Sequence, residues 1–194
     1  MAKVIKIAII GAESTGKTSL AEDLAKNYAQ SHPSAHVPEF LRLFVDKEKR
    51  TPFEEEQIII AKAQKGIEDE ISIELQKNHP TAHNVLLFCD TTPLLTAIYS
   101  EIVFGKTSED LLKIAANHDY DLTLFTQMDF PWISDGMQRD GPEAQARVHE
   151  LLDEKFRQLG ISYQELYGKH LDRLEVSNEL RTALLESNQS KNSL

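Results

Sequence analysis

Apolar positions along the chain change period several times, and each change marks an element. Val4 to Ile10 is a nearly continuous β-branched run ended by Gly11, the pattern of a strand buried on both faces of a parallel sheet. From Lys17 the spacing becomes helical. Leu20, Ala21, Leu24, Ala25 and Tyr28 fall on one face, and His32-Pro33 stops the helix. Ala35 to Val37 is a brief strand ending at Pro38-Glu39. Thr51-Pro52-Phe53-Glu54 reads as a capping box with Pro at the first helical position, opening a long helix with Ala63, Ile67, Ile71 and Leu75 on one stripe. Asn84 to Cys89 is a strong strand ended by Asp90, and Thr92-Pro93 starts a helix through Leu94, Leu95 and Ile98 to about Val103. Ser108 caps a further helix over Leu111, Leu112 and Ala115, and Asp121 to Phe125 is the fourth strand. Thr126 to Gly141 is irregular, rich in Asp, Gly and Pro, after which Pro142 opens a helix that Gly160 stops. Leu171 to Val176 reads as a fifth strand, Ser177 as the cap of a last helix, and Ser187 to Leu194 as a frayed polar tail. Strands alternating with helices predict an α/β fold around a parallel sheet.

One segment joins this pattern to chemistry. Gly11-Ala12-Glu13-Ser14-Thr15-Gly16-Lys17-Thr18 matches the P-loop pattern G-x-x-x-x-G-K-[ST], and it lies between a predicted strand and a predicted helix. The glycines let the backbone turn so that N–H groups point at phosphate oxygens, with the positive end of the helix dipole behind them. The expected ligand is a nucleoside triphosphate with Mg²⁺. Gly11, Glu13, Ser14, Thr15, Gly16, Lys17, Thr18 and Ser19 form its binding segment, Lys17 reaching the β- and γ-phosphates and the Thr18 hydroxyl ligating the metal. The fold expected is therefore a P-loop NTPase fold.

Composition narrows what such a loop is used for. With 194 residues the chain fits one domain, or one domain with a small lid. The net charge of −10 argues against a general nucleic-acid surface. The single cysteine, Cys89, excludes an intrachain disulfide, and no stretch approaches the roughly 20 apolar residues of a membrane span. A cytoplasmic protein with a small-molecule substrate and no membrane partner is expected; oligomeric state is not readable. The fourth strand ends Phe125-Thr126-Gln127-Met128-Asp129 without the lysine of a guanine-reading N/T-K-x-D segment. The seven histidines lack metal-binding spacing and read as surface residues.

Strand C-termini carry ligands in open α/β sheets, which singles out two carboxylates. Asp90 reads as a metal-side or substrate-binding carboxylate, or else as a cap before Thr91-Thr92-Pro93; Glu39 reads as a base for a substrate hydroxyl, or else as a surface residue at a strand end. Arg42, three residues on, shares a helical face with Glu39 if a helix starts there, and either contacts substrate or pairs with that carboxylate. Trp132, the only tryptophan, sits in a Pro/Gly-punctuated loop where it can stack on a planar ring or pack the loop down. Asp129 and Asp135 can bind sugar hydroxyls or form turns, and Arg139 and Arg147 can stabilise a transferred phosphoryl group or be solvated.

Gly-Ala-Glu-Ser-Thr-Gly-Lys-Thr at 11–18, Val-Pro-Glu-Phe-Leu-Arg at 37–42, Phe-Cys-Asp-Thr at 88–91, Tyr-Asp-Leu at 120–122 and Pro-Trp-Ile-Ser-Asp-Gly at 131–136 occur in that order. Together they resemble the ribosylnicotinamide kinase domain of the bacterial NAD-salvage regulator family, over about Val4 to Leu185. The resemblance implies an ATP-dependent kinase converting nicotinamide riboside to nicotinamide mononucleotide, on a five-stranded parallel sheet flanked by helices with a small lid. It implies a kinase domain over 1–186 with the lid at about 127–142, leaving 187–194 as a polar tail. It places Lys17 and Thr18 on ATP-Mg²⁺, Glu39 and Asp90 near the 5′-hydroxyl and the metal, Trp132 and Asp135 near the nicotinamide riboside, and Arg139 in the lid. The DNA-binding and nucleotidyltransferase modules of longer family members have no counterpart motif, so their activities are not expected. Two other readings stay open: a P-loop kinase of another nucleoside or small metabolite, and a nucleotide-binding regulatory protein with little catalysis.

Overall fold

The computed structural model describes residues 2–129 and 141–191. Five parallel strands form one sheet: β1 (Lys3–Ile10), β2 (Ser34–Val37), β3 (Asn84–Asp90), β4 (Leu122–Thr126) and β5 (Gln164–Leu166). Their spatial order is β2-β3-β1-β4-β5. In β1 the register pairs Ile9 with Asp90 on one side and Ile10 with Phe125 on the other. Ile5, Ile7, Ile9 and Ile10 are fully buried, so the apolar run reflects a central strand covered on both faces.

One face of the sheet is covered by α1 (Lys17–Tyr28) and α7 (His170–Lys191). Leu20, Ala21, Leu24, Ala25 and Tyr28, the face expected from their spacing, pack there with Ile5, Ile7, Ile9, Phe88 and Leu124. Across the other face and the sheet's C-terminal edge lie α2 (Phe40–Glu48), α3 (Gln57–Asn78), α4 (Pro93–Phe104), α5 (Glu109–Ala116) and α6 (Pro142–Leu159). Ser108 caps α5 as expected, its Oγ accepting the Leu111 N–H at 3.3 Å. Among the described residues no helix is long and apolar enough to cross a membrane.

Three expectations are corrected. Leu171–Val176 is helical, inside α7; the fifth strand is the earlier Gln164–Leu166, of which Leu166 alone is buried. An edge strand of three mainly polar residues gives no alternating apolar signal. The helix satisfies a pattern four residues apart instead, since Arg173 and Ser177 are buried while Leu171 is 76% exposed. The helix continues through 187–191, expected to be part of a frayed tail, and Ser177 lies within it rather than capping it.

The entry to α3 also differs. Thr51 and Pro52 precede a 3₁₀ turn at Glu54–Glu56, and Glu56 accepts the Phe53 N–H at 2.7 Å while pairing with Arg50. The buried residues of α3 are Gln57, Ile60, Ala61, Gln64, Glu68 and Ser72, and the expected stripe members Ile67, Ile71 and Leu75 pack on the core partly covered. Finally, several histidines read as surface are partly covered, His36, His118 and His149 among them. His149 stacks on Phe125 at 4.6 Å, and burial lowers the pKa of His118 to about 4.

Candidate functional site

The C-terminal edge of the sheet collects the chemistry-bearing residues, because parallel strands all deliver their following loops there. The P-loop leaves β1 and enters α1 through Gly16, whose φ of 79° is left-handed and suits glycine. Gly11 is required by contact: a Cβ there would lie 2.2 Å from Thr126 Oγ1 and 2.8 Å from Thr126 O. Thr15, 1% exposed, fastens the loop from inside, its hydroxyl bonding Ala12 O at 2.8 Å and Thr126 Oγ1 at 2.7 Å. Gln145 of α6 donates to Glu13 O at 2.6 Å from the other side. Gly11→Ala is therefore expected to destabilise the fold by about 1–3 kcal/mol and to weaken nucleotide binding, since overpacking moves the whole loop. Thermal unfolding and ATP titration of the variant check this; an unchanged melting temperature would contradict it.

Lys17 is largely buried, and its Nζ donates to Ala12 O at 2.8 Å, folded across the mouth of the loop. Thr18 Oγ1 donates to Asp90 Oδ2 at 2.6 Å, joining the residue after Lys17 to the end of β3. Asp90 is 1% exposed, and its second carboxylate oxygen is buried with no hydrogen-bond partner among the described residues. Thr91 and Thr92 hydroxyls and Glu13 Oε2 are in the same condition. Thr91 also holds a φ of 70°, unusual for a β-branched residue. Unsatisfied buried polar atoms cost about 1–3 kcal/mol each, and their concentration beside the loop marks a place where a polar ligand restores the lost bonds. Hard oxygen donors at Thr18 and Asp90 fit Mg²⁺, which takes one or two protein oxygens and completes its octahedron with phosphate and water. Among the described residues no group of three or more His, Cys, Asp or Glu could hold a metal by itself.

Next to this loop opens a cleft of about 410 Å³ between α2, the α3 entry and α4. Lys17, Glu39, Arg42 and Glu13 supply its polar lining, and Val45, Pro52, Phe53, Leu95, Val103 and Phe104 much of its apolar wall. Glu39 is the N-cap residue of α2, placed by the Pro38 turn out of β2. Gln64 holds that turn, accepting the Phe40 N–H at 2.8 Å and donating to Pro38 O at 3.3 Å. Burial raises the Glu39 pKa to about 7, with Lys17 opposing the shift and Asp90 adding to it. By exposed area Glu39 is only half-buried; the open part faces the cleft, so the rise belongs to the site before a ligand enters.

The structure thus brings Lys17, Thr18, Glu39, Arg42 and Asp90 to one place. Glu13 keeps its backbone in the loop, while its side chain turns into the cleft and accepts the Tyr99 hydroxyl. Ser19 is exposed on α1, and Arg147 pairs with Glu150 at 3.4 Å on the surface of α6. Trp132, Asp135 and Arg139 lie outside the described residues. Sequence reasoning missed the cleft wall, Phe53, Tyr99 and Phe104, because an apolar residue lining a pocket and one filling a core leave the same periodic mark.

A family model described as an AAA domain matches residues 6–173. Among solved structures the chain is similar to a NadR protein in complex with NR, with TM-score 0.60 and 21% identity over 85% of this chain and 43% of that one. It spans less than half of that NadR chain. It is also similar to a deoxyadenosine kinase from M. mycoides solved with the products dCMP and dCDP, with TM-score 0.54 and 14% identity over 92% of this chain and 100% of that one. A thymidylate kinase from Ehrlichia chaffeensis gives TM-score 0.61 and 13% identity over 92% and 99%. The fold is that of the P-loop nucleoside and nucleotide kinases, in agreement with the family resemblance in the sequence.

Proposed function

The chain belongs to the AAA domain family, and from that premise we propose that it is an ATP-dependent kinase that phosphorylates nicotinamide riboside to nicotinamide mononucleotide. The observation that carries this reading is a partly apolar cleft whose lining includes both Lys17 and Glu39. A cation for the transferred phosphoryl group and a carboxylate for the acceptor hydroxyl then meet where an acceptor of nucleoside size would lie. The phosphates rest on the backbone of 11–18, and Lys17 leaves Ala12 O for the β- and γ-phosphates. Thr18 and Asp90 would hold Mg²⁺, which when bound neutralises charge on the transferred group. Glu39 accepts the proton of the 5′-hydroxyl as that oxygen attacks the γ-phosphorus, and its pKa of about 7 suits a base near neutral pH.

Phe53 and Phe104 offer apolar surface to a flat ring, and Glu13 and Glu39 offer negative charge to a cationic one. The kinase domain spans 1–186, with a lid at about 127–142 in which Arg139 stabilises the transferred group and Trp132 and Asp135 add contacts to the acceptor.

Asp90→Asn is expected to lower kcat by about 10²-fold while ATP binding measured without metal changes little, because the variant keeps the shape and loses the charge. Near-normal kcat would make Asp90 a structural cap. A coupled ADP-release assay across a panel of nucleosides tests the function. Turnover should depend on an added acceptor and be fastest with nicotinamide riboside. Preference for an uncharged nucleoside would leave a kinase of another substrate, and turnover without any acceptor would overturn the kinase reading.

A further inference from the structure

Among the described residues Arg173 is the largest side chain buried to less than 2% exposure, and no motif in the sequence marks it. It projects from the first turn of α7 toward the back of the P-loop, 158 positions away in the chain. One guanidinium nitrogen donates to the carbonyl of Thr15, and the other donates to the carbonyl of Gln127 at 2.7 Å and lies 3.5 Å from Asp129 Oδ2. Asp129 in turn accepts the N–H of Gly168, just before α7. Asp172 accepts the Lys169 N–H at 2.8 Å, and Ser177 donates to Arg173 O at 2.6 Å. A cation is thus held with Asp129 beside it, and among the described residues its hydrogen bonds to Thr15 and Gln127 go to backbone carbonyls. Burial pulls its pKa down and Asp129 opposes that. Such an arrangement is costly for stability alone, because burying a charge gains little over a packed apolar residue.

We propose that Arg173 is a positioning residue for the nucleotide: it sets the orientation of the Thr15–Gly16 peptide in the P-loop. In a trans peptide the carbonyl oxygen and the following N–H point in opposite directions. Pinning Thr15 O toward α7 aims the Gly16 N–H to the opposite side, away from the guanidinium. Gly16 alone would not hold that orientation, since its left-handed φ of 79° lies in a region glycine enters and leaves at small cost. Thr15 is gripped a second time by its own hydroxyl on Thr126 at 2.7 Å, so the β4 end and α7 fix the same residue from two sides. Preorganised donors of this kind cost no reordering when the phosphate arrives.

The inference rests on the reading that the P-loop holds ATP, and the experiment separates the two. Arg173→Lys and Arg173→Met are compared with the full-length wild type by mant-ATP binding, steady-state kinetics for both substrates, and amide exchange over residues 11–18. Arg173→Met should raise the KM for ATP about tenfold and leave the acceptor KM within about twofold. Arg173→Lys, with one donor direction restored, should fall between it and the wild type. Exchange over 11–18 should quicken in the nucleotide-free variants. A merely structural role would lower the melting temperature and leave the KM for ATP of the folded fraction unchanged, and that result overturns the proposal. If Arg173→Met fails to fold, Arg173→Lys decides alone: equal ATP affinity to the wild type sinks the idea. Absence of ATP binding by the wild type overturns both this inference and the reading beneath it.

Discussion

Lys17→Ala is expected to lower kcat by about 10²–10³-fold or more while the protein stays folded. Lys17 is the one lysine of the P-loop, and its ammonium already sits at the loop, bonded to Ala12 O at 2.8 Å. Its removal takes away a cation whose worth rises as charge develops on the transferred phosphoryl group. The side chain is only 9% exposed, so the variant also loses some packing of the lysine stem. A loss of about 1 kcal/mol corresponds to a drop of roughly 2–4 °C in melting temperature for a chain of this size. Single-turnover kinetics with saturating ATP, set beside a thermal melt, check both parts. Near-normal turnover would remove Lys17 from the reaction, and unfolding at ordinary temperature would make its role structural.

Glu39→Gln should lower kcat by about 10²-fold or more and abolish one limb of the pH profile. In the wild type, kcat/KM should rise with pH through about 7 as the carboxyl ionises. Stability moves the other way. The folded pKa, raised to about 7 chiefly by burial, lies above the 4.5 of a free glutamate. Its contribution to stability is therefore fully present below about pH 4.5 and is lost as pH rises through about 7. The form that can act as a base is the form the fold disfavours. Glutamine is neutral at every pH, so the variant should gain on the wild type by roughly 1–3 kcal/mol between pH 5 and pH 8.5. Denaturant melts at the two pH values measure that crossing. Parallel pH dependence in the two proteins, or a kcat within threefold of wild type, would return Glu39 to the status of a surface residue at a strand end.

Both carboxylates stand where the pattern of strands put them. The runs Ile7–Ile10 of β1 and Val85–Cys89 of β3 are apolar because neighbouring elements cover both faces, so their C-terminal limits at Gly11 and Asp90 are marked by a sharp change. β2 is shorter and less buried, yet Pro38 marks its end and so locates Glu39. The acceptor cleft was less legible. Phe53 reads as part of a helix cap, and the helix read from Thr92-Pro93 to about Val103 singles out neither Tyr99 nor Phe104; their role as cleft lining depends on how α4 lies against α2. The P-loop pattern also gives no sign that the Glu13 carboxylate lines the cleft and accepts the Tyr99 hydroxyl.

The sequence by itself determined the strand–helix alternation, the P-loop with Lys17 and Thr18, and the strand-end positions of Glu39 and Asp90. These follow from period, turn chemistry and spacing, which are properties of neighbouring residues. Only the tertiary structure decided which polar residues are buried. Gln64 is buried because it caps the turn at Pro38–Phe40, and Glu68 because Lys6, Lys65 and Tyr120 close around it. Arg173 is buried because the carbonyls of Thr15 and Gln127 converge on it. Each of these groups bears a desolvation cost that only distant partners offset. A strand read at Leu171–Val176 went astray for that reason, since Arg173 and Ser177 face inward, and beside the α3 stripe of Ile67, Ile71 and Leu75, which packs partly covered on the core, the buried Gln64, Glu68 and Ser72 left no apolar mark.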